Sequence, residues 1–214
     1  MRRSSDAGKI VFRIILLLVC AALAGYFVYS RGSRRAVAGL EEPVQTEAEG
    51  TVKLHHDGYN IILTYRAAYE TDALVVHKKN YSSGLTGYLA PVDLALAWGD
   101  VAAYNTKIDF HWSQSGRWYF WNVDSYEELA PVGDESDVTR QSANTHIIPA
   151  NGSVRRKIKR IRRGDRVKLK GYLVDMDAEN SKGDKRWWHT SLVRTDMGDG
   201  SCEVMYVTDA EIVK

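Results

Sequence analysis

The chain has 214 residues, 29 Lys and Arg against 27 Asp and Glu, and a formal net charge of +2 at pH 7. So even a balance argues against bulk electrostatic binding to nucleic acid. Its two cysteines, Cys20 and Cys202, leave no room for an intramolecular disulfide framework. Stability must therefore come from packing, which a globule of this size supplies by burying roughly 70% of its unfolded surface.

The first element is an almost unbroken apolar run, Ile10 to Tyr29, flanked by Arg2, Arg3 and Lys9 before it and by Arg31, Arg34 and Arg35 after it. Twenty residues rising about 1.5 Å each match the ~30 Å hydrocarbon core of a bilayer. The run is read as a single transmembrane helix over 10–29, with 1–9 as a cytoplasmic tail and a large domain outside the cytoplasm. Arg13 lies inside the apolar boundary and must snorkel to the headgroups. A cleavable signal peptide is the alternative, with Ala22-Leu23-Ala24 as a small-x-small site before Gly25 and a secreted domain beyond it. Gly25-Tyr-Phe-Val-Tyr29 continues the apolar stretch past that site, which favours the anchor. Cys20 lacks the small preceding residue that lipid attachment needs, since Val19 stands there.

Residues 30–50 pass from basic to acidic through Glu41, Glu42, Glu47 and Glu49 with Pro43 among them, the composition of a flexible tether. The rest, 51–214, reads as a mainly β domain, with α+β as the variant. His56-Asp57-Gly58 is a turn, Tyr59 to Arg66 alternates as a strand, and Ala73 to Val76 is a second apolar run. Val92 to Trp98 is short enough to be helix or strand. Ile108 to Val123 reads as a hairpin with aromatic arms around Ser113-Gln-Ser-Gly-Arg117. The acidic stretch 124–143 reads as a surface loop that divides the domain, and Asn144 to Asn151 as a turn or the lining of a pocket.

Ser153 to Arg163 is a short helix with Val154, Ile158 and Ile161 as its apolar stripe. A strand follows from Val167 to Leu173, then two more over Trp187–Arg194 and Cys202–Val207. Short strands between Gly- and Asp-rich turns, with one basic helix, indicate a small β-barrel or sandwich of the oligomer-binding (OB) or SH3-like kind.

Chemistry is weighed on four groups. Arg155, Arg156, Lys159, Arg160, Arg162 and Arg163 form a basic patch that reads as a solvated helix face or as a grip on phosphates, of lipid headgroups near the anchor or of nucleic acid. Trp112, Trp118, Trp121, Trp187 and Trp188 suit stacking against sugars or partner side chains, with His146, Asn151 and His189 as polar company. Cys202 with His146 or His189 and an Asp composes a hydrolase on paper, without support from spacing.

No metal site is expected. Asp175, Asp177 and Glu179 begin like a calcium loop, yet Asn180 and Arg186 stand where its Gly and final Glu belong. No cofactor motif occurs either. The reading that follows is a single-pass, non-catalytic binding module of the cell envelope. Its partners are the bilayer through 10–29 and an envelope protein, a lipid surface or a wall polymer. The alternative is a membrane-tethered hydrolase using His146 or His189 with Asp or Cys residues.

Overall fold

A computed structural model describes residues 3–32, 34–196, 198 and 200–213. It divides into two units, 1–34 and 35–214.

The first unit is helix α1 (Arg3–Gly32), whose side chains are described at 8–23 and 25. Over these, the apolar side chains of Ile10 to Leu23 are half to two-thirds exposed, and Arg13 interrupts them. Among the described residues no helix is long and apolar enough to cross a membrane. The span expected over 10–29 runs on into residues 24 and 26–29, whose side chains lie outside the described residues. The tail expected over 1–9 is helical from Arg3.

The second unit is mainly β, with one large mixed sheet. In chain order it comprises β1 (Val44–Thr46), β2 (Thr51–His56), β3 (Tyr59–Asn80), α2 (Gly84–Leu89), β4 (Val92–Ala97), α3 (Gly99–Tyr104), β5 (Ser113–Ser115), β6 (Trp118–Phe120), a 3₁₀ turn over Tyr126–Leu129, α4 (Glu135–Arg140), β7 (Ser142–Pro149), α5 (Gly152–Arg160), β8 (Arg166–Asn180), β9 (Lys185–Trp188) and β10 (Glu203–Val213). Five strands pair in a ring: β3 with β4, β4 with β7, β7 with β10, β10 with β8, and β8 back to β3. Within this ring only β7 and β10 run parallel. Strands β1 and β2 add to β3, and β9 adds to β8.

The two apolar runs expected on either side of residue 70 belong to one 22-residue strand. A straight strand of that length would reach about 70 Å, and β3 avoids this by register shifts between Tyr65 and Ala67 and between Val75 and His77, because an extra residue in one strand bends it. The bend gives two cores. Tyr69, Leu94, Ile147, Leu173, Met205 and Val207 belong to the first. Ile61, Leu63, Ile148, Val174, Met176 and Val204 belong to the second. Each fully buried Leu or Ile among them contributes about 1.5–3 kcal/mol over exposure.

Several expectations change. Val92 to Ala97 is strand β4, buried at every position. Residues 144–149 are neither turn nor pocket wall but most of β7, buried on both sides because Ile147 faces the first core and Ile148 the second. The stretch 124–143 divides nothing: it packs Leu129, Val132 and Val138 into the first core. Asp175, Asp177 and Glu179 lie within β8 and not in a loop.

The tether also tightens. From Arg35 the chain is bonded to the domain: Arg35 O accepts from Asn105 Nδ2, Val37 N–H donates to Ala102 O, and Leu40 O accepts from Gly99 N–H. Leu40 is buried, and Arg194 bonds both Glu42 and Pro43 O. The many carboxylates masked two apolar anchors, Val37 and Leu40.

Candidate functional site

The aromatic hairpin forms as its sequence suggests. Ser115 pairs with Trp118, leaving Gly116 (φ 56°) and Arg117 (φ 75°) as the turn. Two positive φ values in a two-residue loop give the twist that matches hairpin strands. Glycine adopts this freely, whereas an arginine is strained by about 1–2 kcal/mol. The bonds that Arg117 makes offset that cost. Its N–H donates to Tyr81 Oη at 3.2 Å, and Nη1 donates to Asp93 Oδ1 at 2.6 Å and to Ala90 O at 3.0 Å. The guanidinium lies 3.6 Å over the Tyr81 ring and 5.1 Å from that of Trp188.

Alternation along β5 turns Gln114 inward. Its Nε2 donates to Asn144 Oδ1 at 2.6 Å, and its Oε1 meets His77 Nδ1 at 2.9 Å. Burial holds the His77 pKa below its usual value, so the neutral ring donates to the glutamine oxygen. Asn144 Nδ2 donates to Arg117 O at 2.7 Å and to Cys202 Sγ at 3.4 Å. The hairpin is thus clamped to β4 and β7 by side chains from both of its arms and its turn. Such a connected polar group fixes geometry, since a broken partner would strand a buried donor or acceptor.

The clamp leaves the hairpin's outward face uncovered. Trp118 is 36% and Phe120 50% exposed. With Trp121 they wall a recess of about 260 Å³ whose other sides include Asp196, Ser201 and Cys202. Tyr119 points inward, its hydroxyl 3.4 Å from Ser142 Oγ. Asp196 accepts from Ser191 Oγ and offers a carboxylate to the recess beside the hydroxyl-bearing Thr139 and Ser201. An aromatic recess with few polar groups is the ordinary form of a small-ligand site.

The remaining sequence candidates separate. Trp112 is core, its Nε1 donating to Asn105 Oδ1. Asn151 caps α5, accepting from the N–H groups of Ser153 and Val154. Trp187 is 73% exposed and borders a shallow groove with Ile62, while Trp188 turns the other way against His146, ring centroids 4.5 Å apart. His189 Nε2 meets Asp177 Oδ1 at 3.1 Å on the surface.

His146 is 2% exposed and its Nδ1 lies 2.9 Å from Asp93 Oδ1. The contact is off the line of a hydrogen bond, and among the described residues neither Nδ1 nor Asp93 Oδ2 has a hydrogen-bond partner. Burial pushes the Cys202 thiol up to about 11, which keeps it protonated and weakly nucleophilic at neutral pH. The recess that holds Cys202 contains neither His146 nor His189. Among the described residues no three His, Cys, Asp or Glu are grouped to hold a metal ion.

Sequence reasoning missed Asp93, Arg117, Gln114, Asn144 and Tyr81 as one assembly. Their one local signal was Asn144 and His146 at alternate positions of one strand, which implies polar partners on the face they share. No protein-family model, curated protein or solved structure matches this chain.

Proposed function

We propose that this chain is a non-catalytic binding module of the cell envelope, held at a membrane by residues 10–29, whose β domain stands outside the cytoplasm and takes its partner on the β5–β6 hairpin. One observation carries the reading: Trp118 and Phe120 remain uncovered beside an aromatic recess on a hairpin that buried side chains hold rigid. Rigid aromatic side chains give large contact area at little entropic cost on binding.

The ring of strands supports a barrel of the OB type. Numbered along the chain, β3, β4, β7, β8 and β10 pair in the order 1-2-3-5-4-1, with the third and fifth parallel and α5 between the third and fourth. In OB barrels the face of strands two and three, with the loops between strands one and two and between four and five, takes oligomers. Here that face carries Asp93 and Asn144, and Tyr81 and Trp188 from those loops close over Arg117. The hairpin fills the usual groove and moves contact to its own outward side.

Titrating soluble wall fragments and following tryptophan fluorescence tests this. Quenching that disappears in Trp118→Ala supports a wall polymer. An unchanged spectrum at saturating fragment counts against it and leaves the protein-partner form, tested by crosslinking from Phe120. Intact mass of the membrane-recovered chain tests the anchor, since a chain beginning near Gly25 overturns it.

The hydrolase alternative draws on one observation, the 2.9 Å approach of Asp93 to His146. A carboxylate orients an imidazole through a hydrogen bond, for which this contact is not aligned; a catalytic ring also needs access to a substrate, and Trp188 covers this one. Trp188→Ala would uncover it; hydrolysis gained by that variant would favour the alternative.

A further inference from the structure

Helix α5 divides its cations between two uses. Val154 and Ile158 face the core, and at 100° per residue the positions diametrically opposite are Arg156, Lys159 and Arg160. On the flanks, Arg155 donates to Tyr88 O and Lys157 pairs with Asp209 at 2.9 Å. These two tie the helix down. The three outward cations, and Arg162 just beyond them, are exposed. Among the described residues their side chains make no ion pair or hydrogen bond.

A merely solvated face would gain from acids at i±4, and α5 has none. It places Arg156 against Lys159 and Arg160 at i+3 and i+4, pairings that repel. Of the nearby anions, Asp209 holds Lys157 and Asp165 Oδ2 accepts from the Arg162 backbone N–H, while Glu211 lines the same hollow as Arg160 without an ion pair to it among the described residues. Lys78 adds to the cationic field, its Nζ bonding the carbonyls of Ile158, Lys159 and Ile161 at the end of the helix.

We infer that the outward face of α5, Arg156, Lys159, Arg160 and Arg162, is a docking surface for the anionic headgroups of a lipid bilayer. The lipid source rests on the membrane-held reading above, because a domain kept at a bilayer meets headgroups at high local concentration. Each Lys or Arg near an anionic surface strengthens association about fivefold, and added salt screens the effect.

The test uses the full chain with phosphatidylcholine vesicles, with or without phosphatidylglycerol, and follows acetylation of Lys159 by mass spectrometry against exposed Lys53. Slower acetylation of Lys159 alone in anionic vesicles is the expected result, reversed by salt and lost in Arg156→Gln/Arg160→Gln, whose side chains touch nothing in the core. Vesicle flotation separates the two readings. A chain that floats with both vesicles yet shows equal Lys159 reactivity overturns the headgroup surface and keeps the anchor. A chain that floats only with anionic vesicles, in a salt- and variant-sensitive way, keeps the surface and overturns the anchor. Protection by duplex oligonucleotide with none by vesicles assigns the face to nucleic acid and overturns the inference.

Discussion

Arg117, in the turn of the β5–β6 hairpin, reaches Asp93 on β4 across 2.6 Å, and the aspartate side chain is wholly buried there. The pair joins the aromatic hairpin to the strand ring through one contact from which water is largely excluded. Two further groups lean on it, since His146 approaches the same Asp93 oxygen and Arg117 O accepts from Asn144.

Removing one member of a buried pair strands the other charge, at a cost of about 3–5 kcal/mol. Arg117→Ala is expected to lower the unfolding free energy by that amount, read as a lower urea midpoint, and to speed hydrogen exchange over residues 113–120. An apolar side chain of similar length cannot pair with the buried Asp93, so Arg117→Met should behave like the alanine variant. A variant as stable as the parent would show that the clamp adds nothing.

Glu203 gives a pH signature. Burial pushes its pKa up to about 7, and among the described residues its Oε2 has no hydrogen-bond partner. The folded state therefore favours the neutral acid. Its contribution is fully present below the unfolded pKa near 4.5 and is lost as pH rises through about 7. His77, whose pKa burial lowers, acts with the opposite sign in the same window, being unfavourable as pH falls. Glu203→Gln isolates the carboxyl: its urea midpoint relative to the parent should rise between about pH 5 and pH 8. Parallel curves for the two proteins would remove Glu203 from the account.

The parts of this fold that the sequence announces are those with a local period. The α5 stripe Val154, Ile158 and Ile161 is buried as a 3.6-residue repeat should be, and the alternation of Val167, Leu169, Gly171 and Leu173 runs along β8. Strand β7 shows no alternation because both of its faces are covered, and with Ser142, Asn144, Thr145 and His146 among its buried residues it reads as a turn until their partners are placed. The ring closure between β3 and β8 joins residues about a hundred positions apart, and no local pattern carries it. For the site, Trp118, Phe120 and Trp121 were visible as an aromatic cluster. Asp93 was not, because a single acid within Val92 to Ala97 reads as a solvent-facing position until the arginine that meets it is placed.

Gly171 marks the tightest crossing of strands. It lies on β8 between Tyr69 and Val207, and a Cβ there would stand 2.0 Å from Tyr206 O. Backbone on a paired strand cannot step aside without breaking ladder bonds. Gly171→Ala should lower the melting temperature well beyond what a surface Gly→Ala exchange does, with Gly152→Ala at the exposed start of α5, where the nearest atom is the flexible tip of Arg156, as the tolerated comparison. Equal melting temperatures for the two variants would mean that β10 can shift to make room.

Cys202 separates the binding and hydrolytic readings by chemistry alone. With its pKa pushed up to about 11, the thiol is almost entirely protonated at neutral pH, and thiolate is the species that attacks an alkylating reagent. Alkylation of Cys202 by iodoacetamide, followed on its own peptide so that Cys20 does not interfere, should be slow at neutral pH. It should keep rising as pH climbs past the ordinary cysteine value of 9.0. Cys202→Ser should keep the recess and its ligand response, because Asn144 Nδ2 can donate to a hydroxyl oxygen as it does to the sulphur. Fast alkylation with a plateau below neutrality would instead reveal an activated thiolate. The recess beside Trp118 and Trp121 would then have to be tested for acyl transfer.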